Sequence, residues 1–195
     1  LWSARWSSPR SRGRPPRRRR GGGVGGRGDR RSSSVVPISD QARRWRAQVG
    51  KNQNYNEKNW NHLITANRLI FWICCSHFTI RNDDMVFRAT ITNNIVKQAL
   101  HLNRNLTFIH NKLEKILVLA SLVLVSVTFE GNQKLFQSTI KNLSSEIKNI
   151  IDRNGFVESK NPEDQFWLLH HLILVREFLI FSQNTVPEFL DQNIQ

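Results

Sequence analysis

Tyrosine is nearly missing from this chain: among 195 residues there is one, Tyr55, beside one methionine and two cysteines. Two cysteines cannot build a disulfide framework, and Cys74 and Cys75 are neighbours whose side chains diverge by about 100° on a helix, so a bond between them would be strained. They are expected as buried thiols. A structural zinc site needs four converging ligands, and Cys74, Cys75 and His77 have no second cluster to complete them, so no metal or other cofactor is expected. No uncharged run exceeds fourteen residues, Ile116 to Phe129, against the roughly 20 that span a bilayer. No membrane span is expected. The N-terminus carries charge without an apolar core, which is not the pattern of a secretory signal.

Two further absences divide the chain. Residues 1–50 contain no Lys, no Glu and no Asn, while fourteen Arg stand against two Asp, a formal charge of +12. Eight of the ten Gly lie there as well. Residues 51–195 hold nineteen Asn and carry only +2, so the sequence pI near 11 is a property of the first quarter. High charge with Gly, Ser and Pro cannot bury enough surface to offset ordering entropy, so residues 1–50 are expected to be disordered, apart from a short helix over "SDQARRWRAQV". Arg, Gly and Pro use GC-rich codons, whereas Asn, Lys and Ile use AT-rich ones. The junction Gly50-Lys51 is therefore a candidate seam, with residues 1–50 an artefact or fusion scar and residues 51–195 the folded domain. Dense Arg also neutralises phosphates, but "RGRPPRRRRGGGVGGRGDRR" has no interleaved Phe or Tyr, and nucleic acid is not the expected partner.

Beyond residue 50 no segment alternates with the period of a strand, and the spacing of apolar residues predicts helices over 59–79, 84–104, 107–129, 132–152 and 163–182, with a sixth after Pro187. In "DRNGFVESKNPEDQ", Asn154-Gly155 is suited to ending a helix; Asn161 and Pro162 are suited to capping and starting one. The helix over 132–152 is wet on one side: Leu135, Ile140, Leu143, Ile147, Ile150 and Ile151 share one half of the wheel, Lys134, Lys141, Ser145 and Lys148 the other. Residues 116–129 are apolar all round and 166–181 nearly so, which predicts two helices enclosed on every side. The segment 84–104 is intermediate, its polar arc limited to Thr90, Asn93, Asn94, Lys97 and His101. Short connections and mixed burial predict an all-α fold of antiparallel helical hairpins in two tiers, a partial α/α toroid.

"NGFVESKNPEDQFWLLHHLILVREFL" followed by "VPEFLDQNI" resembles the N-terminal helical region of bacterial, alphaproteobacterial-type heparinase II/III-like proteins. Gly155, Ser159, Lys160, Asn161 and Pro162 form the strip between helices; Leu168, Leu169, Leu172, Leu174 and Arg176 form the Leu-rich helix; Val186, Pro187 and Leu190 form its restart. Upstream, Trp60, Arg68 and Trp72 are similar to that family's Trp–Arg–Trp helix. The resemblance covers about residues 54–195. It implies a polysaccharide lyase with an α/α toroid followed by a β-sandwich domain, a uronic-acid polysaccharide as partner, and cleavage by β-elimination. The short apolar run leaves a soluble protein as the expectation, and the compartment of a bacterial protein of this kind, cytoplasmic or periplasmic, stays open. Active branches often place a Tyr-His pair just after the strip, where this chain has Asp164 and Gln165. No catalytic residue is assigned, and the segment by itself is expected to be inactive.

The candidates for binding sugar are Trp72, Trp167, His170 and Arg176. Flat indole faces suit pyranose C–H surfaces, although packing is the commoner use of Trp on apolar helices. Arg176 has the fork to hold a carboxylate, or equally an internal salt bridge. His170 and His171 are good bases near neutral pH, yet adjacent residues point about 100° apart and cannot share a proton or metal. Two other functions stay open: a helical scaffold for protein partners, and nucleic-acid binding through the Arg-rich segment.

Overall fold

A computed structural model of the chain describes residues 47, 49–51, 54–76, 85–129 and 131–194. The described residues form an all-α structure, with an isolated antiparallel bridge between Ile151 and Val157 and no strand. Six α-helices follow in order: α1 His62–Cys74, α2 Met85–Asn105, α3 Lys112–Thr128, α4 Gln133–Ile150, α5 Pro162–Phe181 and α6 Glu188–Ile194. A 3-10 turn, Leu106–Phe108, separates α2 from α3. The expected disorder of the Arg-rich segment lies outside the described residues, as does most of the short helix expected before residue 50.

Asparagine starts three of these helices. The Asn61 carboxamide accepts from the Leu63 amide at 3.0 Å, Asn111 from Leu113 and Glu114 at 3.0 and 3.4 Å, and Asn161 from Glu163 at 3.1 Å. Each satisfies a backbone donor that the first helical turn leaves free. Asn111 also explains why α3 begins several residues later than its apolar pattern suggests.

Helix α3 is the centre of the packing, in contact with α1, α2, α4 and α5. Every residue from Ile116 to Ser126 is buried, and each fully buried Leu, Ile or Val in it contributes about 1.5–3 kcal/mol of apolar transfer. The polar atoms inside are satisfied: Ser121 and Ser126 return their hydroxyls to the carbonyls of Val118 and Val123 at 2.7 and 2.8 Å. At its edges, Lys115 pairs with Glu146 of α4 at 2.6 Å and His62 of α1 meets Glu114 at 2.7 Å. Helix α4 has the expected two sides, with Leu143, Ile147 and Ile150 buried and Lys134, Lys141 and Lys148 exposed.

Expectations about burial and boundaries change as well. Helix α5 is enclosed on one side only: Leu168, Leu172, Val175 and Leu179 are buried, but Phe166 is 72% exposed and Ile173, Ile180 and Phe181 also face solvent. Among the described residues α5 packs substantially only on α3 and the short α6, which leaves its other side without a neighbour there. Cys74 is exposed rather than buried, because α1 turns Trp72 and Ile73 inward and Phe71 and Cys74 outward. Neither cysteine is in a disulfide. Finally, Val49 lies in the core with no exposed surface, and its carbonyl accepts from Asn94 Nδ2 at 3.2 Å, so the packed region starts upstream of the expected boundary at Lys51.

The connector between α4 and α5 is a small hydrogen-bonded unit. The Asp152 carboxylate accepts from the amides of Asn154 and Phe156 at 2.8 and 3.0 Å, and Gly155 takes φ +83°, a conformation that favours glycine. Gly155 thus closes this turn rather than ending α4, which stops at Ile150. Ser159 donates to Asp164 at 2.6 Å, and Gln165 accepts from the Val157 amide at 2.8 Å while donating to the Gly155 carbonyl at 3.3 Å. Asp164 and Gln165 therefore hold the strip to the helix that follows it.

Candidate functional site

The most chemically distinctive surface lies where residues 54–60 cross the C-terminal half of α2. The loop is set by the Asn56 carbonyl, which accepts from the amides of Asn59 and Trp60 at 2.9 and 2.8 Å, and by the Asn56 carboxamide, which accepts from Lys58 at 3.0 Å. It places Tyr55 against Trp60 and His101, with ring centroids 5.7 and 5.6 Å away, and Trp60 against His101 edge-on at 5.2 Å. These rings and the outer face of α2 enclose an open cleft of about 390 Å³, lined also by Asn54, Lys97, Leu100 and Arg104.

The polar groups divide into fixed and free. His101 Nε2 lies 3.2 Å from the Trp60 carbonyl and Nδ1 lies 3.2 Å from Asn105 Nδ2, which assigns the ring proton to Nε2 and makes Nδ1 an acceptor. Trp60 is 8% exposed and its buried Nε1 donor has no partner among the described residues. Lys97 and Arg104 are exposed and enter no ion pair among the described residues. Seven residues apart, they stand about 10 Å from each other along the helix axis, with Leu100 and His101 between them on the same face. Tyr55, 65% exposed, offers a flat ring and a hydroxyl beside these cations. Among the described residues no carboxylate lines the cleft, and both nitrogens of His101 are engaged, so the arrangement suits recognition of an anionic, ring-bearing ligand.

Behind the cleft, Arg68 acts as a clamp. Its guanidinium donates to the Asn59 carbonyl and, at 3.0 Å, to Gln98 of α2, and lies 5.9 Å over the Trp72 ring. Burial lowers the Arg68 pKa from its ordinary value. Trp60, Arg68 and Trp72 thus support the wall of the cleft from inside.

The four expected sugar contacts do not converge. Trp72 is 3% exposed, so its ring is core and has no face to offer. Trp167 is half-buried and packs against His171 with the rings tilted by 40° and centroids 4.1 Å apart, while His170 is exposed and meets His171 edge-on at 5.1 Å. His171 is buried, and its Nδ1 donates to the Trp167 carbonyl at 2.8 Å. Burial pushes its pKa below the ordinary value, against the opposing carbonyl hydrogen bond and with a smaller push from His170. Arg176 is filled by Asp191 of α6 and Glu177, both at 2.6 Å, and these bonds, Asp191 first, hold its pKa above the ordinary value. Its salt bridge is internal and ties α5 to α6.

Sequence reasoning missed Tyr55, Lys97, Leu100 and Arg104 as a group. One signal was present: positions 97, 100, 101 and 104 follow the i, i+3, i+4, i+7 spacing of one helix face. None of the described helices is long and apolar enough to cross a membrane, and among the described residues no group of three His, Cys, Asp or Glu side chains could hold a metal ion. No protein-family model, curated protein or solved structure matches the chain.

Proposed function

We infer that the region from Val49 onward is the helical, non-catalytic part of a heparinase II/III-like polysaccharide lyase, a partial α/α toroid that forms one wall of a groove for uronic-acid polysaccharide. The observation that carries this reading is the cleft at Tyr55, where an exposed aromatic ring stands beside two cations with no ion pair among the described residues. A uronate unit has a C–H face suited to the ring and a carboxylate suited to Lys97 or Arg104. The spacing of the two cations, about 10 Å along α2, is near the length of two pyranose units.

The strip from Ser159 to Pro162 adds support from its place between two long helices, as in the family it resembles. β-Elimination requires a base to remove the proton at C5, neutralisation of the adjacent carboxylate, and protonation of the leaving oxygen. On this reading a following β-sandwich completes the site, and the helical part binds and orients the chain. The reading frame beyond Gln195 tests it. A β-rich segment with Tyr and His is expected; an immediate stop codon, or more helical hairpins alone, would contradict it.

A second reading has its own observation. Phe166, Ile173 and Ile180 recur every seven residues on the outer face of α5, with Phe181 beside them, as on a helical scaffold that receives a protein partner. The nucleic-acid alternative rests on the Arg-rich segment alone, and equal RNA affinity with and without residues 1–50 would end it.

A further inference from the structure

The outer face of α4 carries a second opening that the lyase reading does not use. A groove of about 410 Å³ runs between this helix and the start of α6, lined by Lys141, Ser144, Ser145 and Lys148 and walled by Pro187 and Phe189. The four α4 positions follow i, i+3, i+4, i+7 spacing and so form one contiguous patch.

Among the described residues no side chain of that patch has a polar partner. Ser121, Ser126 and Ser138 each return their hydroxyls to a carbonyl three residues back, the usual resort of serine inside a helix. Ser144 and Ser145 make no hydrogen bond among the described residues, and Lys141 and Lys148 make no ion pair. The helix's one carboxylate, Glu146, is taken up by Lys115 of α3. Among the described residues no acidic side chain lines the groove.

We propose that this groove binds a phosphate monoester, with the phosphoryl oxygens on Lys141, Ser144, Ser145 and Lys148 and the organic body against Pro187 and Phe189. Four adjacent donor groups match a tetrahedral oxyanion better than a carboxylate, which has only two oxygens to offer them. Two ammonium groups balance a charge near −2, which a phosphate monoester carries at neutral pH and a sulfate ester does not. The carbonyl end of α4 opposes an anion, but that field is a fractional charge acting against two whole ones at short range.

Phenyl phosphate tests the proposal on the full chain, followed residue by residue through amide NMR shifts so that anions on the Arg-rich segment are separated from anions on α4. Saturable shifts are expected at 141–148 and at Phe189, with phenyl sulfate and benzoate at least about tenfold weaker. In Ser144→Ala/Ser145→Ala the affinity should fall by about thirtyfold or more, the loss of two hydrogen bonds. Alanine raises helix propensity, so that loss would not come from unfolding, and an undiminished thermal midpoint confirms it. No shift along α4, equal binding of the sulfate, or undiminished affinity in the double variant would each overturn the proposal.

Discussion

Leu122 lies on α3 with no exposed surface, and the helix that carries it touches α1, α2, α4 and α5. Leu122→Ala deletes most of that side chain where collapse is restricted: the neighbouring positions are buried, and the Lys115–Glu146 and His62–Glu114 pairs tie α3 to two of its partners. Core Leu→Ala changes cost about 2–5 kcal/mol, rising with the cavity that remains, so the upper part of that range, about 3–5 kcal/mol, is expected here. That is a large fraction of the roughly 5–15 kcal/mol that holds a domain folded. Urea unfolding of the full chain reads it: with a slope of roughly 2 kcal/mol per molar, the midpoint should fall by about 1.5–2.5 M while the slope stays constant. Ile180→Ala on the outer face of α5 is the control, expected below about 1 kcal/mol because that side chain is already half in water. If the two variants shift the midpoint equally, α3 is not the interior helix and the reasoning from its burial fails.

Asn161→Ala removes the cap of α5 and should cost about 1 kcal/mol, lowering the thermal midpoint by about 2–4 °C; no change would mean that the Ser159–Asp164 bond caps the helix alone. Lys160 sits at φ +52°, so Lys160→Gly should stabilise by a few tenths to about 1 kcal/mol in the same assay, and a loss would show that its side chain contributes contacts. His171 has its folded pKa held below the ordinary 6.5 mainly by burial. The unfolded chain therefore takes up the proton first, so stability is full above about pH 6.5 and is lost as pH falls from there toward the folded pKa. His171→Phe should flatten that part of the profile, and an unchanged slope would refute the assignment. Ile173→Ser combined with Ile180→Ser should leave the urea midpoint within about 1 kcal/mol and reduce binding of a hydrophobic dye; a large loss of stability would mean that this face is covered.

Where the sequence was legible, local chemistry decided the outcome. Asn161 marks a helix start because a carboxamide beside free amides satisfies them whatever lies further away, and the Lys and Ile halves of α4 differ enough in hydration to set its orientation; Asn61 and Asn111 cap by the same chemistry but inside the expected bounds 59–79 and 107–129. Residues 116–129 are apolar all round and must be enclosed. The same inference failed for 166–181, since composition states what a helix tolerates on each side and not how many neighbours it has. Trp72 and Tyr55 show the corresponding limit at the site. Trp72 looked suited to sugar by ring type but belongs to an inward face, whereas Tyr55 matters only because a loop brings it across more than forty residues of chain to His101. Arg176 was divided in the sequence between a ligand fork and a salt bridge, and the position of Asp191 on α6 decides for the salt bridge.

Calorimetric binding of tetragalacturonate to the full chain, at a salt concentration of about 0.15 M where diffuse attraction to the Arg-rich segment is screened, bears most directly on the cleft as a reader of acidic sugar. The account predicts saturable binding, no binding of neutral maltotetraose, and at least about a tenfold loss in both Tyr55→Ala and Lys97→Ala/Arg104→Ala, variants that leave residues 1–50 untouched. Equal affinity in wild type and both variants, or equal affinity for the neutral sugar, would contradict it.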